Sequence, residues 1–203
     1  MKLTSGLPFY FLLIITGLSV IGEAQPGKIF YNVKDYGAKG DGQTFDTDVI
    51  NKAIEEVSKA GGGTVYFPPG NYLSYTIRLQ NNISLYIDRG ATIVAAKEVN
   101  GVGYDKPEPN AFDKYQDFGH SHWKNSLIYG EGLHDISILG EGLIWGKGLG
   151  RSDNQPEGGG DKAISLKLCR NVILQNFSLL HCGHFALLAT GVDNLTKIGR
   201  AHV

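Results

Sequence analysis

The 203 residues are 42% hydrophobic and 19% charged, with 28 glycines and 7 prolines. That balance excludes an intrinsically disordered chain and suits one domain, or part of one, with a buried core. A formal net charge of −1 removes any global electrostatic basis for binding nucleic acid or an anionic membrane surface.

The chain opens with Lys2 and an apolar stretch from Leu7 to Ile21, followed by Gly22-Glu23-Ala24. A basic start, a short apolar run and small residues at the cleavage positions form the pattern of a signal peptide over residues 1–24. A membrane anchor is the competing reading, but the run is short against the roughly 20 residues of a span, and a polar chain follows at once. Export, to the extracellular space or a bacterial periplasm, implies an oxidising compartment. The two cysteines, Cys169 and Cys182, can form one bridge or remain two buried thiols, and they exclude a disulfide-stapled scaffold.

Ile29 to Val33 reads as a strand, and Asp35 to Gly42 as a glycine-punctuated turn in which Asp41 is a turn former. Asp46 is placed to cap a helix over residues 47–59. Val49, Ile50, Ala53, Ile54 and Val57 form its apolar stripe, and Gly61-Gly62-Gly63 ends it. Everything downstream reads as strands. Thr64 to Phe67 stops at Pro68-Pro69-Gly70. A local pattern then recurs at Asn82-Ile83-Ser84-Leu85, Asp135-Ile136-Ser137-Ile138, Asn171-Val172-Ile173-Leu174 and Asn194-Leu195-Thr196.

The step from Asn171 to Asn194 is 23 residues, a fitting length for one coil of a solenoid of short strands. The longer steps require inserted loops, and 100–122 and 151–162 have the composition of such loops. The expected fold is all-β: an incomplete right-handed parallel β-helix with one amino-terminal capping helix. Its inward column contains Ile83, Leu85, Ile136, Ile138, Val172 and Leu174. Asn or Asp at each turn can satisfy free backbone groups and pair with its counterpart on the next coil. A Rossmann-like sheet needs a helix after nearly every strand, and no helical pattern follows Thr64.

Three motifs carry a family resemblance. They are Asp35-Tyr36-Gly37-Ala38-Lys39-Gly40-Asp41-Gly42, the segment from Gly62 through Pro68-Pro69-Gly70-Asn71-Tyr72, and Gly140-Glu141-Gly142-Leu143-Ile144-Trp145-Gly146-Lys147-Gly148. Together with the helix they resemble the polygalacturonase-like glycoside hydrolases of family 28, in the pectin lyase-like superfamily, over about residues 30–196. The first two motifs are shared with phage tailspikes and several lyases, and the third points more narrowly to the hydrolases. The resemblance implies inverting hydrolysis of α-1,4 bonds between galacturonate units, with no metal or other cofactor, by a monomer acting on pectic polysaccharide. It also implies three aspartates on neighbouring coils, a histidine beside a glycine, and a downstream arginine and lysine. One carboxyl protonates the leaving oxygen while a second activates water, about 6.5–9.5 Å away.

The family's first catalytic aspartate lies in an Asn-x-Asp-Gly segment one coil after Asn194. The catalytic residues are therefore expected beyond Val203, where this sequence stops, and no residue of this chain takes a catalytic role. Asp193 reads as a turn residue. His181 and His184 bracket Cys182-Gly183 but precede the expected aspartates, and the catalytic His-Gly role is not carried over to them. Phe118-Gly119-His120-Ser121-His122-Trp123 is the densest chemical stretch. It reads as a substrate-cleft loop, as a packed aromatic loop, or as part of a metal site with too few ligands for zinc. His120, His122, Trp123 and His184 are the candidate substrate-binding residues. Trp145 with Lys147 reads as core and solvent in preference to a ligand contact.

After Thr196 the strand alternation fails. Lys197 to Val203 reads as translated sequencing adapter, against a genuine variable terminus, and the domain is expected to span residues 25–196. Two functions remain: a secreted pectin hydrolase that is incomplete here, and a non-catalytic carbohydrate-binding or adhesin-like β-helix. If the signal pattern operates, mass spectrometry of the exported protein will find an amino terminus near residue 25; a mature chain starting at Met1 would contradict it.

Overall fold

The computed structural model describes residues 30–199 except 112, 115–119 and 152–154. The signal-peptide segment, Phe118 and Gly119 of the aromatic loop, and the end of the chain from Arg200 to Val203 lie outside the described residues. The expectation of adapter-derived sequence thus falls partly outside them, and the expectation of catalytic residues beyond Val203 falls wholly outside. Among the described residues no helix is long and apolar enough to cross a membrane.

Among the described residues, fifteen strands and one α-helix follow in order. β1 (Phe30–Asn32), β2 (Asp41–Phe45), α1 (Thr47–Lys59), β3 (Gly63–Phe67), β4 (Gly70–Ser74) and β5 (Ile77–Arg78) make the first turns of the chain. β6 (Ile83–Ile87), β7 (Ala91–Ala95), β8 (Ser126–Glu131), β9 (His134–Leu139) and β10 (Leu143–Trp145) come next. β11 (Lys162–Lys167), β12 (Arg170–Gln175), β13 (Ser178–Leu180), β14 (Phe185–Thr190) and β15 (Asp193–Ile198) complete the coils. They form three parallel sheets, ordered β1-β3-β6-β9-β12-β15, β2-β4-β7-β10-β13 and β5-β8-β11-β14. Each strand pairs with its counterpart one coil away, which makes this a parallel β-helix of the usual right hand.

The inward columns are continuous. Val65, Leu85, Ile138 and Leu174 stack in register in the first sheet. Tyr72, Ile93, Ile144 and Leu179 stack in the second, and Ile77, Ile128, Ile164 and Leu187 in the third. All six residues expected in the first column are buried, Leu174 the most exposed of them at 3%. Each such aliphatic side chain contributes about 1.5–3 kcal/mol on burial, available only when a neighbouring coil covers it.

Helix α1 covers the first coil, against β3, β5 and β6, with Ile50, Ala53, Ile54 and Val57 fully buried. Asp46 occupies the N-cap position, but its side chain makes no capping bond. Its carboxylate instead accepts the N–H groups of Lys39 (2.7 Å) and Gly40 (3.0 Å), tying the glycine-rich turn to the helix start. Asp41 forms the expected turn, accepting from the N–H groups of Gln43 and Thr44. The strand β2 that begins there was not legible in the sequence, and Val33 belongs to a 3₁₀ turn (Val33–Tyr36) rather than to β1.

The recurring Asn or Asp has a definite task. Asn82, Asp135, Asn171 and Asn194 all hold positive φ, between 53° and 60°. Asp135, Asn171 and Asn194 are the second residues of β9, β12 and β15, where the chain turns from the third sheet into the first. Asn tolerates this left-handed conformation better than most residues. Asn171 Nδ2 donates to Asp135 Oδ1 (2.8 Å), and Asn194 Nδ2 donates to Asn171 Oδ1 (2.9 Å), so the corners form a ladder. The Gly140-Glu141-Gly142 motif marks another corner, where a Cβ on Gly140 would collide with the Ile87 carbonyl of the adjacent coil. Both cysteines are free thiols, with Cys169 buried. β15 continues through Lys197 and Ile198, paired with Leu174 and Gln175, although the side-chain alternation stops at Thr196. The parallel ladder is made by backbone groups, which are indifferent to that alternation.

The ladder sets a stability order. Asn171→Gly keeps the backbone conformation and loses two exposed hydrogen bonds, about 1 kcal/mol in all, whereas Asn171→Ala adds about 1 kcal/mol of left-handed strain. Urea titration will therefore rank wild type above Gly above Ala.

Candidate functional site

Three of the sequence candidates gather against the third sheet. A long insertion between β7 and β8 brings residues 120–125 back to β11 and β14. His120 sets its ring edge-on to Phe185 at 4.8 Å, and His184 stacks on the same ring at 5.2 Å. Trp123 reaches the other end of β14, donating through Nε1 to Thr190 Oγ1 at 3.3 Å. Lys167 on β11 lies over the indole, its Nζ 4.5 Å from the ring centroid, and also pairs with Glu131 Oε1 at 3.0 Å. The register places Glu131, Lys167 and Thr190 side by side on β8, β11 and β14. The Tyr129 hydroxyl, then the Lys167 ammonium, hold Glu131 below the usual carboxylate range.

Glu108 fixes the loop. Its carboxylate accepts the backbone N–H groups of Trp123 (3.1 Å) and Lys124 (3.2 Å), and its carbonyl lies 2.8 Å from His122 Nδ1. His122 Nε2 lies 3.3 Å from Asp113 Oδ1, so both ring nitrogens face protein oxygens, and His122 holds the loop together.

Behind the rings lies a buried polar knot. Lys162 is fully buried and pairs with Asp161, and Asn125 bridges them, Nδ2 to Asp161 Oδ1 at 3.1 Å and Oδ1 from Lys162 Nζ at 3.2 Å. Asp161 also uses its backbone carbonyl to accept the His184 N–H at 2.7 Å. Burial raises the Asp161 carboxyl above its ordinary range, against the opposing pull of Lys162. The knot thus anchors the starts of β8, β11 and β14 and sets the position of His184.

Of the sequence candidates, His120, His184 and Trp123 are brought to β14, while His122 faces into its own loop. His181 lies apart, accepting from Trp145 Nε1 at 3.2 Å, with Lys147 Nζ 5.0 Å from the Trp145 ring. Sequence reasoning missed Glu108, Phe185, Lys162 and Lys167. The only local signal was an unusually polar start to an apolar strand at Asp161-Lys162.

Residues 30–178 match the family model described as Rhamnogalacturonase A/epimerase, pectate lyase-like. The chain belongs to this family. Within the pectin lyase-like superfamily it is polygalacturonase-like. A probable polygalacturonase of Vitis vinifera is 33% identical over 118 residues, covering 56% of this chain and 24% of that protein. Alginate lyase 7 of Azotobacter vinelandii is 69% identical over 42 residues, 21% of this chain and 5% of that protein. The hyperthermoactive exopolygalacturonase of Thermotoga maritima shares the fold at a TM-score of 0.65 and 19% identity, over 86% of this chain and 47% of that structure. This family member therefore spans about a quarter of the Vitis protein and about half of the Thermotoga structure.

The knot makes a sharp prediction. Asp161→Asn leaves a buried ammonium unpaired and Lys162→Met leaves a buried carboxylate, each costing about 3–5 kcal/mol, while the double variant loses much less than their sum. Because the folded carboxyl titrates above its unfolded value, stability falls as pH rises through that window. The deficit of Lys162→Met relative to wild type will be larger at pH 7 than at pH 4.5 in chemical denaturation.

Proposed function

We propose that this chain forms the amino-terminal part of the substrate cleft of a secreted polygalacturonase-type hydrolase that cleaves α-1,4-galacturonosyl bonds in pectic polysaccharide. The observation that carries the reading is the convergence of His120 and Trp123 with His184 and Phe185, from distant parts of the chain, along β14. Partly exposed rings give a sugar flat apolar surface, and the exposed His120 ring gives its hydroxyls a hydrogen-bond partner. Lys167, paired with Glu131, adds a cation beside Trp123 that a uronate carboxylate can approach. The family match supports the hydrolase class.

Inverting hydrolysis needs two carboxyl groups on opposite sides of the bond. The aspartates that touch the candidate residues are committed elsewhere, Asp113 to His122 and Asp161 to Lys162. We assign the acid and base to coils of the complete protein that follow Val203, and expect residues 25–203 to bind without turnover. Binding alone does not accelerate bond breaking.

Trp123→Ala will weaken tetragalacturonate binding to residues 25–203 about tenfold, the loss of roughly 1.4 kcal/mol, by calorimetric titration. Reducing-end release from polygalacturonate will appear with the complete gene product and not with residues 25–203. Turnover by the shorter chain would place the catalytic residues within it. Unchanged affinity in Trp123→Ala would move the cleft elsewhere, and inactivity of the complete protein would favour a non-catalytic module.

A further inference from the structure

A groove of about 650 Å³ opens at the amino-terminal end of the third sheet, where α1 begins and β4 passes into β5. This volume is in the range of small-molecule sites. In the third sheet β5 is separated from β14 by β8 and β11, about 14 Å at ordinary strand spacing. The groove is thus distinct from the rings around Phe185.

Its floor is aromatic. Phe45 stacks nearly parallel on Tyr75, with ring centroids 5.0 Å apart and planes 20° apart. Tyr75 is buried and its hydroxyl donates to the Lys97 carbonyl at 3.2 Å, which braces the pair from below. Phe45 is 51% exposed. The opposite wall is the bridge between Val99 and Val102, two aliphatic side chains exposed by 55% and 65%. Large apolar groups that face water singly are ordinary, but three of them converging on one concave surface mark a binding site.

The polar rim decides the class of ligand. Asp48, Asp105 and Arg78 line the rim. Arg78 is committed to Asp105, with Nε 2.7 Å from Oδ2 and Nη2 on Oδ1. The amino terminus of α1 points here with its partial positive charge, and Asp48 in the first turn offsets it. Counted as side-chain charges, Asp48, Asp105 and Arg78 leave an excess of one negative charge, which the partial positive charge of the helix end reduces. Such a rim repels a polyuronate. It still offers carboxylate and guanidinium partners to hydroxyl groups.

We propose that the groove of Phe45, Tyr75, Val99 and Val102 is a second carbohydrate site that takes an uncharged oligosaccharide. The sugar's C–H face packs on Phe45, and its hydroxyls meet Asp48, Asp105 and the free edge of Arg78. The site is independent of the cleft along β14. It gives the protein a means of gripping a neutral branch or a neighbouring neutral chain while the other site engages a charged one.

The test uses calorimetric or NMR titration of the complete protein with β-1,4-galactotetraose, α-1,5-arabinotetraose and tetragalacturonate. Wild type will bind at least one of the neutral tetrasaccharides saturably. Phe45→Ala and Val102→Ser, both at exposed positions, will each weaken that binding, by about tenfold for Phe45→Ala, and leave tetragalacturonate affinity unchanged. Trp123→Ala will do the reverse, so failure of this site and failure of the β14 cleft are distinguishable. Absence of saturable binding by both neutral tetrasaccharides overturns the proposal. So does neutral binding that ignores both groove variants, or tetragalacturonate binding that Phe45→Ala abolishes.

Discussion

Parallel pairing of each strand with its counterpart one coil away is the constraint on which everything else depends. A single coil here has strands of two to six residues and cannot enclose its own apolar side chains. Val65, Leu85, Ile138 and Leu174 exclude water only because they stand in register on successive coils. Stability is therefore close to a sum of coil-to-coil terms. A defect at one corner is felt mainly by the coils above and below it.

That constraint falls on strands and corners and leaves the connections free. The chain closes one coil in 23 residues between Asn171 and Asn194 and takes 36 between Asp135 and Asn171. The corner residues still stack, the Asn171 amide donating to the Asp135 carboxylate, with both backbones held in the left-handed conformation. Insertions are thus tolerated wherever the next strand can return to register. The insertion before β8 is used to bring His120 and Trp123 over β14, and Glu108 holds it in place.

The Asp161–Lys162–Asn125 knot sits where such an insertion re-enters the helix. It places charge in an interior that would accept aliphatic residues, and buried ion pairs of this kind seldom add net stability. Its evident effect is positional. It joins the starts of β8 and β11 and, through the Asp161 carbonyl, fixes the backbone of His184. A few polar contacts therefore relate the candidate cleft to the coil spacing. At the opposite end of the same sheet, the Phe45–Tyr75 groove is formed where α1 and the first coil meet.

The sequence by itself determined the solenoid. Helix 47–59, the six-residue inward column and the turn positions of Asn82, Asp135, Asn171 and Asn194 were legible because each is encoded locally, by a helical stripe, an alternation or a turn residue. The role of Asp46 was only half legible, since its position is local but its partners, Lys39 and Gly40, depend on how the turn folds back. For the candidate site, the sequence supplied His120, Trp123 and His184 without showing that Phe185 joins two of them. It gave no hint that Glu108 orders the loop or that Lys167 covers the Trp123 ring. Only the tertiary structure decided these contacts. They join residues whose separation along the chain is set by insertions of irregular length, and their proximity follows from coil register rather than from any spacing in the sequence.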